Sequence, residues 1–134
     1  MSQYTIYSDG GARGNPGPAA IGVVISQDNK VVTTISRCIG ETTNNQAEYQ
    51  AIIAGLEKAI ELKAEEVECF LDSELVVKQL RHEYKVKNKD LAILFVKAHN
   101  LSVQIKKVRF NHVPREENKA ADKLVNEALD KYIQ

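Results

Sequence analysis

Four acidic residues stand where packing alone would not place a charge: Asp9, Glu48, Asp72 and Asp122. Asp9 closes the strand-like run Tyr4-Thr5-Ile6-Tyr7-Ser8 and meets a glycine-rich stretch, Gly10-Gly11-Ala12-Arg13-Gly14-Asn15-Pro16-Gly17. Glu48 falls on the apolar side of an Ala/Ile/Leu helix, one turn before Ile52. Asp72 ends a second strand, Val67-Glu68-Cys69-Phe70-Leu71, and Asp122 lies level with the apolar stripe of a C-terminal helix. Burying an unpaired carboxylate is costly, so acids at such places usually bind a metal or act in catalysis. Carboxylates from separate elements can hold two divalent cations over a phosphate. An all-oxygen donor set without a Cys/His cluster favours magnesium or manganese over zinc. Crowded carboxylates also repel one another, which makes such a site avid for cations. Singly, each aspartate has an ordinary reading: Asp9 a turn former, Asp72 a helix cap, Asp122 a surface residue at the stripe's edge. Glu48 has no such reading, and the conjunction outweighs any member.

The elements that must position these acids follow from periodicity. Tyr4–Asp9 alternates as a strand. Ala19–Ser26 and Val31–Ile39 are β-branched runs joined by the turn Gln27-Asp28-Asn29-Lys30, so three strands form an antiparallel meander. Thr and Asn residues in Thr42–Glu48 offer cap chemistry before a helix over Asn45–Leu62. Glu66–Asp72 is a fourth strand with Val67, Cys69 and Leu71 on one face. A short helix follows, Ser73–Leu80, capped by Asp72 or Ser73. Leu91, Leu94, Phe95 and Ala98 mark a third helix, and Val103–Phe110 a fifth strand. After Pro114 a final helix turns Ala121, Leu124, Val125, Ala128 and Leu129 inward. Strand–helix–strand links add parallel neighbours to the meander, giving a mixed α/β sheet with helices on its faces. Asp9 and Asp72 then end neighbouring parallel strands and converge at one sheet edge.

At 134 residues, 43% apolar and 27% charged, the chain has the size and composition of one globular domain spanning 1–134. No run of eighteen apolar residues exists, so no membrane span is expected. The start, Met1-Ser2-Gln3-Tyr4, lacks the charged and apolar regions of a signal peptide, which points to the cytoplasm. Cys38 and Cys69 sit in apolar runs without metal spacing and are expected to be buried, reduced thiols. A formal net charge of zero hides a polarised chain. Lys78–Arg115 carries ten basic and two acidic residues (+8), the remainder eight basic and sixteen acidic (−8). That asymmetry suits a phosphate-facing side. The glycine-rich stretch lacks the Gly-Lys-Ser/Thr ending of a nucleotide loop, so its glycines more naturally let backbone pass close to a ligand or the metal site.

Taken together, four motifs in order resemble type 1 ribonuclease H, in its small form lacking the basic protrusion. They are Tyr7-Ser8-Asp9-Gly10-Gly11-Ala12-Arg13-Gly14-Asn15-Pro16-Gly17, Thr42-Thr43-Asn44-Asn45-Gln46-Ala47-Glu48, Leu71-Asp72-Ser73, and His112-Val113-Pro114-Arg115-Glu116-Glu117-Asn118-Lys119-Ala120-Ala121-Asp122. The resemblance implies a five-stranded mixed sheet of order 3-2-1-4-5 with helices on both faces. It implies hydrolysis of the RNA strand of RNA–DNA hybrids to 5′-phosphate and 3′-hydroxyl ends, by two Mg2+ or Mn2+ ions with substrate bound. Asp9, Glu48, Asp72 and Asp122 would be the metal ligands, and His112 a proton-transfer or product-release residue. Gly10, Gly11, Arg13, Asn15, Asn44, Asn45 and Ser73 would meet the hybrid, several of them at the 2′-hydroxyls that identify the RNA strand. Thr43 would join a pocket for a DNA phosphate, and Asn118 would orient Asp122 or meet substrate. The chain departs from the family pattern at Glu41, where an arginine is common, in having no tryptophan, and in a short Arg81–Asp90 segment. Tyr84, Lys85, Lys87 and Lys89 are the available substitutes for the aromatic platform and the basic helix. The altered clamp leaves room for RNA–RNA duplexes as a second substrate. The expected state is a monomer, and a binding module without turnover is disfavoured because all four carboxylates are present.

Overall fold

A computed structural model describes residues 2–133. Its elements are β1 (Gln3–Ala12), β2 (Gly17–Gln27), β3 (Lys30–Thr42), α1 (Asn44–Glu61), β4 (Glu66–Leu71), α2 (Glu74–Leu80), α3 (Lys89–Ser102), β5 (Lys107–His112) and α4 (Lys119–Ile133), with a 3-10 turn at Arg115–Glu117. The sheet order is β3-β2-β1-β4-β5, as the sequence predicts. β1 pairs antiparallel with β2 and parallel with β4, and β5 extends the parallel side. The two-residue turn between β2 and β3 holds Asp28 and Asn29 at φ 53° and 64°. Asp and Asn tolerate that left-handed region, and the turn's twist matches that of the strands it joins.

The sheet is covered on both sides. α1 lies over β1 and β2 with α3 beside it, and α4 lies over β2, β3 and β1 on the opposite face. β2 is therefore buried almost throughout, from Ala19 to Ile25. A strand covered on both faces reads as a continuous apolar run rather than an alternating one. The main core, under α1, gathers Ile6, Val23, Ile52, Leu56, Val67 and Leu71. A smaller one under α4 joins Ala20 to Val125, Ala128 and Leu129. Among the described residues no helix is long and apolar enough to cross a membrane.

Several expectations need correcting. β1 continues beyond Asp9 through Gly10 and Gly11, because Gly10 pairs with Ile21 and Ala12 with Ala19. The glycine-rich stretch is thus strand first and bend second. β5 begins at Lys107, not Val103. α3 runs on through Ser102, and the Val103 N–H closes its last turn on the His99 carbonyl. Val103 has β-branched propensity, but its side chain is exposed and its N–H is spent on the helix's last turn, so propensity alone does not make a strand there. Cys69 is buried as expected, whereas Cys38 is only half-buried, its thiol donating to the Ala128 carbonyl at 3.1 Å.

Candidate active site

The parallel register sets Ser8 opposite Leu71, so Asp9 and Asp72 emerge side by side at one end of the sheet. α1 brings Glu48 over that edge. Thr43 caps the helix by accepting from the Gln46 N–H at 3.2 Å. Gly10 allows the approach, since a Cβ there would collide with the Ala47 carbonyl and the Glu48 nitrogen. In return the Gly10 N–H donates to Glu48 Oε1 at 3.1 Å. Gly22, the β2 partner of Asp9, does the same for α4. A Cβ at Gly22 would strike the carbonyl of Ala121, the residue before Asp122. Two glycines therefore set the distance at which both helices deliver their acids.

One oxygen from each of Asp9, Glu48 and Asp72 lies within 4.8 Å of the other two. Asp9 and Glu48 are buried, at 7% and 6% exposure. Glu48 Oε2 has no hydrogen-bond partner among the described residues, and none of the three acids forms an ion pair there. Three converging carboxylates, one with a buried, unpartnered oxygen, leave negative charge that protein groups do not neutralise. A hard divalent cation fits that donor set. Burial, with the charges of Asp72 and Asp122, pushes the Asp9 carboxyl up to about 7 against the opposing effect of its hydrogen bond with Glu48. Burial first, and then Asp9, hold Glu48 well above the ordinary carboxylate range. At neutral pH the cation-free pair therefore retains a proton.

Asp122 lines the same pocket, of about 580 Å3, but stands outside the close trio. It is half-exposed, with Arg115 Nη2 at 3.9 Å from Oδ1 and Asn126 Nδ2 at 3.4 Å from Oδ2. Gly10, Gly11, Arg13, Asn44, Asn45 and Ser73 line this pocket too. The side chains of Arg13, Asn44 and Ser73 are already engaged. Asn44 Oδ1 accepts from the Ala12 N–H at 2.8 Å, and Asn15 Oδ1 from the Asn44 N–H at 3.1 Å, tying the bend after β1 to the start of α1. Arg13 is held against α4 by Asp130 at 2.7 Å. Ser73, not Asp72, caps α2, accepting from the Val76 N–H at 3.3 Å.

Thr43, Asn15 and His112 do not line the pocket. His112 is exposed at the end of β5, within electrostatic reach of Glu74. Asn118 is 1% exposed, and its side chain turns to Asp72 rather than Asp122: Nδ2 donates to Asp72 Oδ2 and to the Ser8 carbonyl, each at 2.9 Å, while its backbone carbonyl accepts from the Asp122 N–H at 3.1 Å. Arg115 was missed as a pocket residue, although it lies between His112 and Asn118 in the fourth motif and so had a signal.

Comparison with known proteins gives consistent relatives. The family model described as "Reverse transcriptase-like" matches residues 7–128. The Ribonuclease HI of Halobacterium salinarum is 46% identical over 125 residues, 92% of this chain and 63% of that protein. The crystal structure of RNase H1 from that archaeon matches with a TM-score of 0.94 at 44% identity, covering 97% of this chain and 99% of its own. The N-terminal RNase H domain of a Mycobacterium tuberculosis protein matches at a TM-score of 0.91 and 43% identity, covering 94% and 98%. The whole mycobacterial protein, called bifunctional, is 44% identical over 96% of this chain, which spans 36% of its length. LC11-RNase H1 in complex with an RNA/DNA hybrid matches at a TM-score of 0.92 and 46% identity, covering 98% and 99%.

Proposed function

This chain belongs to the ribonuclease H family, and we propose that it hydrolyses the RNA strand of RNA–DNA hybrids, leaving 5′-phosphate and 3′-hydroxyl ends. The observation that carries the reading is the convergence of Asp9, Glu48 and Asp72 oxygens within 4.8 Å, with Glu48 Oε2 buried and unpartnered. These three residues, with Asp122 at the rim, would hold two divalent cations, magnesium or manganese. Bound there, the cations would neutralise phosphate charge and activate the attacking and leaving oxygens.

The chain's own groups do the positioning. The Gly10 N–H fixes one Glu48 oxygen, and Asn118 fixes one Asp72 oxygen, so these two carboxylates each have an anchor outside the trio. Proton retention by Asp9 and Glu48 keeps the cation-free cluster from self-repulsion, and binding of a cation would release that proton. Gly11, Asn44, Asn45 and Ser73 offer the polar surface for the minor groove and its 2′-hydroxyls. The chemistry of Arg13, drawn towards α4, and of Arg115 suits flanking phosphates. Asn15 would act through Asn44, and Thr43 through the start of α1. His112, exposed at the end of β5, would exchange a proton with product at an imidazole nitrogen. The chain is read as one catalytic domain acting as a monomer in the cytoplasm, where Cys38 and Cys69 stay reduced.

The test is cleavage of a labelled RNA–DNA hybrid and a matched RNA duplex, each with magnesium, manganese or chelator. Metal-dependent cutting of the hybrid, lost in Asp72→Asn, is the expected result. Binding without cutting in either metal would refute it. Cutting of both duplexes would widen the substrate class, an outcome made relevant by exposed Glu41 at the end of β3.

A further inference from the structure

A second groove, of about 780 Å3, runs along the outer edge of β5, away from the carboxylates. Arg81 and His82 enter it just past α2, Phe95 and His99 from α3, and Lys106 and Arg109 at β5. The three rings form one cluster. His82 meets His99 and Phe95 edge-on, with centroids 5.3 and 5.6 Å apart, and Phe95 and His99 lie near-parallel at 6.3 Å. His82 is exposed and holds the left-handed backbone conformation at φ 63°. Of the lining residues only Glu83 is acidic. Arg81 pairs with Glu83 at 3.0 Å and Arg109 with Glu68 at 3.3 Å. Both arginines are more than half exposed, so a phosphate can compete for them. Lys106 has no ion pair among the described residues.

This groove and the carboxylate pocket have no lining residue in common, but the same elements run between them. Ser73, which caps α2, lines the pocket, while Leu80, which ends α2, lines the groove. Seven helical residues span about 10 Å. Asn111 at the top of β5 lines the groove, and Arg115 beyond it lines the pocket. A strand leaving the carboxylates would reach the groove within a few nucleotides. Cations that track a backbone, beside an exposed ring on which a base can stack, are the features by which proteins hold single strands.

We propose that this groove holds an unpaired nucleic-acid strand continuous with the hybrid, its phosphates on Arg81, Lys106 and Arg109 and a base against His82. The continuity rests on the hybrid-nuclease reading; the binding of a single strand does not. The test is fluorescence anisotropy of the full chain with a short labelled oligothymidylate or oligouridylate in chelator, across a salt series. For Lys106→Ala/Arg109→Ala, affinity falls about tenfold. The log–log salt slope falls by about 1.4, since each phosphate contact on a single strand contributes about 0.7. Lys30→Ala/Arg37→Ala removes the same charge from β3, the opposite sheet edge, and stays within about twofold of wild type. The oligonucleotide that loses affinity identifies the strand. In magnesium, the groove pair raises KM for a hybrid with a single-stranded tail, with kcat and blunt-hybrid kinetics unchanged. Equal losses in the two double variants would reduce the effect to net charge and overturn the site, as would wild-type binding by the groove pair. Failure of hybrid cleavage would leave the anisotropy result standing, so the two readings fail separately.

Discussion

Asn118→Ala isolates the contact that holds Asp72. The amide orientation is settled by its partners, because the Ser8 carbonyl and Asp72 Oδ2 both accept, and only Nδ2 can serve them. Truncation removes two hydrogen bonds of 2.9 Å, a buried one to the Ser8 carbonyl and a part-buried one to a carboxylate. A neutral bond contributes about 1 kcal/mol and one to a charged group about 1.5–3 kcal/mol. Against this, Asn118 Oδ1 is itself buried without a partner, and its removal returns about 1 kcal/mol. The net loss is about 2 kcal/mol, which for a domain of this size lowers Tm by roughly 6–10 °C. The assay is thermal unfolding in chelator and in magnesium. Wild type gains Tm with magnesium because the cation binds only the folded chain. The variant gains less, since a released Asp72 must be reordered on binding. Asn118→Asp, of the same shape, sets a carboxylate against Asp72 and falls further at pH 7 than at pH 5. An Asn118→Ala protein with wild-type Tm and a wild-type magnesium shift would refute the positioning argument.

Three further outcomes follow from the same geometry. Asp9 binds its proton more tightly folded than unfolded, its carboxyl rising from 3.8 to about 7. Between about pH 4 and 7 the folded chain keeps a proton that the unfolded chain has released, so stability in chelator falls as pH rises across that window. That rise corresponds to at most about 4 kcal/mol, shared with Glu48. Denaturant titrations from pH 4.5 to 7.5 should show this decline, flattened in Asp9→Asn and by magnesium; stability rising with pH in chelator would contradict it. Glu48→Gln keeps the Oε1 acceptor for Gly10 and removes the buried charge. Its expected result is a cation-free protein at least as stable as wild type at pH 7, with no magnesium shift in calorimetric melting. Gly22→Ala forces α4 off the sheet at Ala121, an overpacking loss of about 1–3 kcal/mol; hybrid-cleavage assays should show activity falling with it, because Asp122 moves too.

Most of the sheet was legible because its signals are local. The Asp28-Asn29 turn, the alternation in Val67, Cys69 and Leu71, and the apolar spacing of α1 each specify their element without help from elsewhere. The acids were legible for a related reason: Glu48 sits where an apolar helix face has no use for a charge. What the sequence obscured depends on long-range contact. β1 extends past Asp9 only because β2 pairs with Gly10 and Ala12, a register that no property of those residues declares. Asn118 lies one turn before Asp122 along the chain, so spacing suggested that partner. The fold sends its side chain inward to Asp72, 46 residues away. Gly22 likewise shows its purpose only once a helix backbone lies against it; at Gly10 the sequence suggested a close backbone approach near the metal site but not the helix that makes it.

The measurement closest to the central claim is anomalous scattering from crystals of the protein soaked in Mn2+, alongside hybrid cleavage in the same cation. Density for manganese among the Asp9, Glu48 and Asp72 oxygens, absent from Asp72→Asn crystals of a protein that no longer cuts, is the expected result. Manganese-dependent cleavage with the cation bound at other residues, and none at these three, would contradict the account.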